Sequence, residues 1–151
     1  EQIALHWHPK VKAWLPPGGH IDENEDPVQA VLREVEEEVG LKVEIIDNGP
    51  RLKFDYPKQI SVPITIMLED IQDPIIGPHQ HIDLIYVCRV TTIITALKKG
   101  WRWVSRQEIE NSTPILKPDG TKIAPPKDVL LVAKMAFERH SQELHSTQFN
   151  K

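Results

Sequence analysis

Pro16-Pro17-Gly18-Gly19-His20-Ile21-Asp22-Glu23-Asn24-Glu25-Asp26-Pro27-Val28-Gln29-Ala30-Val31-Leu32-Arg33-Glu34-Val35-Glu36-Glu37-Glu38-Val39-Gly40-Leu41 is the stretch on which the reading of this chain turns. Its prolines and glycines mark a loop of tightly specified geometry. A helix follows over 27–40, and its ends are signalled in the residues themselves. Asp26 can cap it, Pro27 suits the first helical position, and Gln29 stands three residues after Asp26 as in a capping box. Gly40 stops it. At about 100° per residue, Val28, Val31, Leu32, Val35 and Val39 form one core stripe. Glu34, Glu37 and Glu38, related by i+3 and i+4, share an adjacent arc; Ala30 lies above them and Glu36 points to solvent.

Three carboxylates on one arc repel one another, by roughly 0.2–0.5 kcal/mol for each like-charge pair. A solvated, glutamate-dotted face is the ordinary explanation of such a pattern. The other is an oxygen-rich site for a hard divalent cation, whose charge turns the repulsion into binding. Helical spacing alone leaves both open.

Outward from the helix, 3–7 reads as a first strand, and 43–46, 60–68 and 82–90 as further strands, being apolar, β-branched and bounded by turns such as Asp47-Asn48-Gly49-Pro50 and Gly77-Pro78. Residues 101–104 form a short strand. Ser105 with Glu108 makes a capping box for a short helix, and Pro125-Pro126 introduces a longer one to about Leu144, burying Val129, Ala133, Ala136, Phe137 and Leu144. A tail without order is expected from about 145. This element order argues for an α/β fold with a mixed sheet between helices.

From Gly19 the chain shows five residues, Glu25, seven residues, then Arg33-Glu34-Val35-Glu36-Glu37-Glu38-Val39-Gly40-Leu41. This is the complete box of the Nudix hydrolases, and Pro17-Gly18-Gly19 resembles the family's lead-in. The resemblance is sharpest over 14–41; Trp103-Val104-Ser105 leading to Glu108, and the C-terminal helix, are similar to the usual tail of the domain. It implies an α/β/α sandwich with a mixed sheet supporting the loop-helix-loop. It also implies hydrolysis of a nucleoside diphosphate linked to another moiety, of nucleotide sugar, ADP-ribose or nucleoside triphosphate type. Mg²⁺ or Mn²⁺ would be held by Glu34, Glu37 and Glu38, with the Gly18 carbonyl as an additional oxygen. One of the acids would take the proton from the attacking water. Arg33 would steady a crowded glutamate; a surface ion pair with Glu36 or Glu37 is its plainer role. Glu25 fits a structural role beside the helix start as well as a metal-linked one. Gly19 and Gly40 read as backbone devices, for the loop turn and the helix stop. A family strand usually found before the Ile3 stretch is missing, so upstream residues are expected. Many relatives are dimers, which leaves a homodimer open. Tyr56-Pro57 carries two contrary hints to the substrate, which cancel.

Weaker candidates surround the box. His6, His8, Lys10 and Lys12 alternate along the first strand and its loop, and could face phosphates or solvent. Trp14 suits the core. In His79-Gln80-His81-Ile82-Asp83, alternate side chains point one way from an extended chain. A zinc site of metallo-β-lactamase type is disfavoured, since Leu84 replaces that motif's last histidine and the segment leads into a strand. The stronger functional reading has His79, His81 or Asp83 lining the substrate cleft; the plain reading is a polar turn before a strand.

With 151 residues, 40% hydrophobic and 26% charged, the chain has the size of one domain, 1–151. Its net charge of −4 argues against polymeric nucleic acid as partner. No run reaches the roughly 18 apolar residues of a membrane span and no leader is seen. Cys88 sits alone in an apolar run, which fits a buried thiol and a reducing, cytoplasmic setting. A nucleotide-derivative sensor is the alternative to an enzyme; the intact acid set favours the enzyme, because a pure binding module needs no complete ligand set.

Overall fold

Alternation along β1 (Gln2–His8) sends Ile3, Leu5 and Trp7 to one face and Ala4 to the other. A turn carrying Lys12 in the left-handed region (φ 57°) returns the chain into β2 (Ala13–Leu15), which pairs antiparallel with β1, Trp7 opposite Trp14. These strands belong to a computed structural model that describes residues 1–47, 49–91 and 96–149, with side chains through His145. Asn48 of the expected turn and residues 150–151 of the expected tail lie outside the described residues.

The helix α1 (Pro27–Val39) starts and stops where its residues require. Asp26 accepts from the amides of Val28 and Gln29 at 3.0 and 2.9 Å, and the Gln29 side chain accepts from the Asp26 amide at 2.8 Å. Gly40, at φ 81°, ψ 22°, closes the last turn in a conformation that glycine takes without steric cost. Ala30, Val35 and Val39 are buried; Val28, Val31 and Leu32 are only partly so, so the expected stripe tapers.

Beyond α1 come β3 (Val43–Ile45), β4 (Thr65–Asp73), β5 (Gly77–Ile85), β6 (Cys88–Val90) and β7 (Trp101–Ser105). Two of these correct the expected strands. β4 begins after Pro63, which has no N–H to give a ladder, and runs on to Asp73 because β5 pairs with it throughout. The 82–90 strand is two strands, β5 and β6, since the chain changes partner after Ile85 and β6 pairs with β3 instead. β5 starts at Gly77, so the expected polar turn at His79-Gln80-His81 is itself strand.

Ser105 ends β7 and caps α2 (Arg106–Glu110), with the expected capping box to Glu108. After β8 (Ile115–Leu116) and β9 (Lys122–Ile123), α3 (Lys127–Phe149) continues five residues past the expected Leu144 end, so 145–149 is helix and not a tail; Leu144 is half exposed and leaves the expected buried face.

β1 and β7 carry the layering. Leu5 and Val104 pack with Ile109, Val129, Ala133 and Phe137 of α2 and α3. Ala4, Trp101 and Trp103 pack with Val35 and Val39 of α1 on the opposite face. The helix-sheet-helix order of an α/β/α sandwich therefore follows from period-two alternation in two strands. The sheets are β2-β1-β7, β3-β6, β4-β5 and β8-β9, and every pairing among the described residues is antiparallel. The expected mixed sheet is replaced in part because short turns join β1 to β2 and β4 to β5, and such connections make antiparallel pairs. Cys88 is partly buried, and burial pushes its thiol up to about 12. No helix among the described residues is long and apolar enough to cross a membrane.

Candidate functional site

The loop leaving β2 folds back over the acidic arc of α1. Gly18 donates its amide to Glu38 Oε2 at 3.1 Å. At Gly19 a Cβ would stand 2.1 Å from Glu34 Oε1 and 2.4 Å from its Cδ. The backbone of Gly19 is not in the left-handed region, so glycine is required there for the close approach of loop to carboxylate and not for a turn as expected. Gly40 keeps its expected role as the helix stop.

Arg33 ties the arc together. Its Nε and Nη2 meet both oxygens of Glu25 at 2.9 and 2.8 Å, its Nη1 reaches Glu34 at 2.8 Å and Glu37 at 3.3 Å, and Nη2 also donates to the His20 carbonyl at 3.0 Å. Asp22 stands 3.6 Å away. A bidentate fork of this kind fixes a rotamer as well as neutralising charge. Glu25 emerges as the anchor of Arg33: its carboxyl is lowered by Arg33 first and by the Asp22 amide second. The Arg33 guanidinium is held still further above its ordinary range, by Glu25 first and Glu34 second.

Glu38 behaves differently. Burial raises its carboxyl above the ordinary range and the charge of Glu34 adds to this, against the Gly18 amide and His8. Glu36 points outward to Lys42 at 3.9 Å. Lys98, which no sequence signal marked, donates from Nζ to the Glu37 and Glu36 carbonyls at 2.5 and 3.4 Å, and so satisfies carbonyls at the helix end that carries the acids.

Glu34, Glu37 and Glu38 thus lie where helical spacing put them, with Arg33, Glu25, Gly18 and Gly19 around them. Among the described residues no three His, Cys, Asp or Glu side chains are gathered as a ligand set. Glu34 and Glu37 share Arg33 while Glu38 turns to Gly18.

Of the weaker candidates, His79 and His81 lie on one face of β5. His81 meets the ring of His20 from the box loop edge-on at 5.3 Å, and the Nε2 atoms of His79 and His81 are 3.1 Å apart. His20 escaped the sequence reading, although it directly follows Gly18-Gly19. Asp83 shares their alternation and sits opposite Met67, with no hydrogen bond or ion pair to the acids. Lys12 is exposed in the β1–β2 turn and likewise makes no such link. His8 bears electrostatically on Glu38, while His6 stacks on Trp101 at 4.4 Å. Trp14 is core, 3% exposed. A cleft of about 320 Å³ bordered by His6, Trp7, Trp101 and Lys117 contains none of the box carboxylates.

Fold and site together define an α/β/α protein built around one acidic loop-helix-loop. The chain belongs to the Nudix family: the NUDIX domain model matches residues 2–125. An RNA pyrophosphohydrolase of a Nitratiruptor species is 45% identical over 51 residues, 32% of this chain and 33% of that protein. An 8-oxo-dGTP diphosphatase of Haemophilus influenzae is 43% identical over 44 residues, 29% of this chain and 32% of that protein. The matched stretches thus span about a third of these curated relatives' lengths. The crystal structure of a NUDIX-family hydrolase from Clostridium perfringens superposes with a TM-score of 0.65 at 28% identity, covering 92% of this chain and 87% of that one.

Proposed function

We propose that this chain hydrolyses a phosphoanhydride bond in a nucleoside diphosphate linked to another moiety, at a site formed by Glu34, Glu37, Glu38 and the Gly18-Gly19 loop. The observation that carries this reading is a glycine loop folded onto the acidic arc of α1, with the Gly18 amide on Glu38 and Gly19 packed against Glu34, while Arg33 holds Glu34 and Glu37 beside them. Crowded carboxylate oxygens are the donor set that hard divalent cations take. Glu34, Glu37 and Glu38 would hold Mg²⁺ or Mn²⁺, with the Gly18 carbonyl as a further oxygen. Such an ion supplies charge neutralisation for the phosphate oxygens and lowers the pKa of the attacking water.

The chain's own groups do the rest. Arg33, braced by Glu25, sets the rotamers of Glu34 and Glu37. One carboxylate of the arc accepts the proton of the attacking water. β5 carries His81 against His20 of the box loop, at the edge of the substrate cleft. Relatives named RNA pyrophosphohydrolase and 8-oxo-dGTP diphosphatase make nucleoside triphosphates the first compounds to try.

The test is phosphate and nucleotide release from nucleoside triphosphates, ADP-ribose, nucleotide sugars and dinucleoside polyphosphates, with Mg²⁺, Mn²⁺ or EDTA. Cleavage that requires the metal and is lost in Glu37→Gln supports the reading. Folded, metal-loaded protein that binds but cleaves none of them would favour a nucleotide sensor.

A further inference from the structure

The β4–β5 hairpin carries a second cluster whose chemistry differs from that of the carboxylates. His79 and His81 are two residues apart on one strand, so their side chains leave the same face. Their Nε2 atoms stand 3.1 Å apart, and the edge of the His81 ring meets His20 with centroids 5.3 Å apart. His79 Nδ1 lies 3.0 Å from the Gly77 carbonyl, which can only accept, so Nδ1 carries the proton and Nε2 presents a lone pair toward His81. Such an outer-shell carbonyl is what orients a metal-binding imidazole. Two ring nitrogens facing each other can share one proton or one cation.

We propose that His79 and His81 form a chelating site for a borderline-soft divalent cation such as Zn²⁺, completed by His20 and separate from the glutamate arc. With Zn–N bonds of about 2.1 Å, two tetrahedral ligand nitrogens sit roughly 3.4 Å apart. The observed 3.1 Å therefore needs a few tenths of an ångström of opening, and the proton that His81 Nε2 donates to His79 moves to His81 Nδ1 so that both Nε2 atoms offer lone pairs. Among the described residues, no third His, Cys, Asp or Glu is already gathered with this pair. His20, its ring 5.3 Å from that of His81, is the nearest candidate for a third ligand, and Glu69, opposite His81 in the β4–β5 register, faces the same side of the ribbon. Imidazole nitrogen suits Zn²⁺, Ni²⁺ and Cu²⁺, whereas Mg²⁺ prefers oxygen and keeps its water. The two sites therefore sort cations by ligand type. They meet at His20, whose carbonyl accepts from Arg33 while its ring touches His81.

This inference does not rest on the hydrolase reading, and its test uses no turnover. Zn²⁺ is titrated into the protein by calorimetry in millimolar Mg²⁺. One Zn²⁺ per chain is expected, unaffected by Glu37→Gln. His79→Gln and His81→Gln should each weaken it by at least the roughly 10–100-fold that loss of an outer-shell partner costs a metal site. His20→Gln should weaken it less. In the unmodified protein, NMR signals of the His79 and His81 rings should shift on Zn²⁺ addition while that of His140 stays put, a readout that needs no variant to fold. Zinc that binds the double variant His79→Gln/His81→Gln with unchanged affinity, that is displaced by Mg²⁺, or that leaves both ring signals unmoved overturns the proposal.

Discussion

At Glu38, burial and the neighbouring charge of Glu34 raise the carboxyl, which fixes the sign of its contribution to stability. The folded protein binds that proton more tightly than the unfolded chain does. Ionisation of Glu38 therefore lowers stability as pH rises from the ordinary glutamate value through the raised one. Glu38→Gln removes the penalty and keeps an oxygen for the Gly18 amide. Relief of about 0.5 kcal/mol of like-charge repulsion corresponds to a melting temperature raised by about 1–2 °C in EDTA at neutral pH, while turnover falls by about 10²-fold or more. Calorimetry and initial rates on one preparation check both; a lower melting temperature with an unchanged rate would contradict the assignment. Gly19→Ala separates stability from activity in another way. Its new methyl meets the far end of a flexible side chain, so Glu34 moves rather than the backbone. The melting temperature should change by no more than about 2 °C, with turnover lost as for a Glu34 variant.

The helix α1 is the element whose sequence and structure agree most closely, because caps and periodicity act over four residues or fewer. Asp26→Ala leaves the Val28 and Gln29 amides without their acceptor, and loses the Lys58 contact at 3.3 Å. Urea unfolding should register a lower midpoint for the variant, as removal of an N-cap acceptor requires. The Asp26 carboxyl is held low, by the Gln29 amide first. Its stabilisation is therefore present above the ordinary aspartate range and fades as acid is added, so wild type and Asp26→Ala should converge in stability at low pH. The β4–β5 hairpin is the opposite case. Glu69-Asp70-Ile71-Gln72-Asp73 is poor strand sequence, yet it is strand because β5 pairs with it residue for residue.

For the molecule as a whole, a cation that binds the folded state and not the unfolded chain must raise the melting temperature by mass action. At a hundredfold excess over Kd the gain is roughly 2.7 kcal/mol. A melting series in Mg²⁺ should climb for the wild type and flatten in a Glu37→Gln/Glu38→Gln double variant. A wild-type curve flat across millimolar Mg²⁺ would count against the glutamate arc as a cation site.

What the chain determined by itself is local: where α1 begins and ends, which face its acids share, and where Ser105 turns a strand into a helix. Each follows from interactions spanning a few bonds, which composition and spacing encode directly. The partners of those residues were decided only by tertiary structure. Glu25 reaches Arg33 across eight residues, Gly18 meets Glu38 across twenty, and β5 carries His81 sixty-one positions along the chain to His20. Lys98 caps the carbonyls of Glu36 and Glu37 from equally far away. Such pairings depend on how the strands register and on which loop each sheet face meets, and no short-range pattern carries that information.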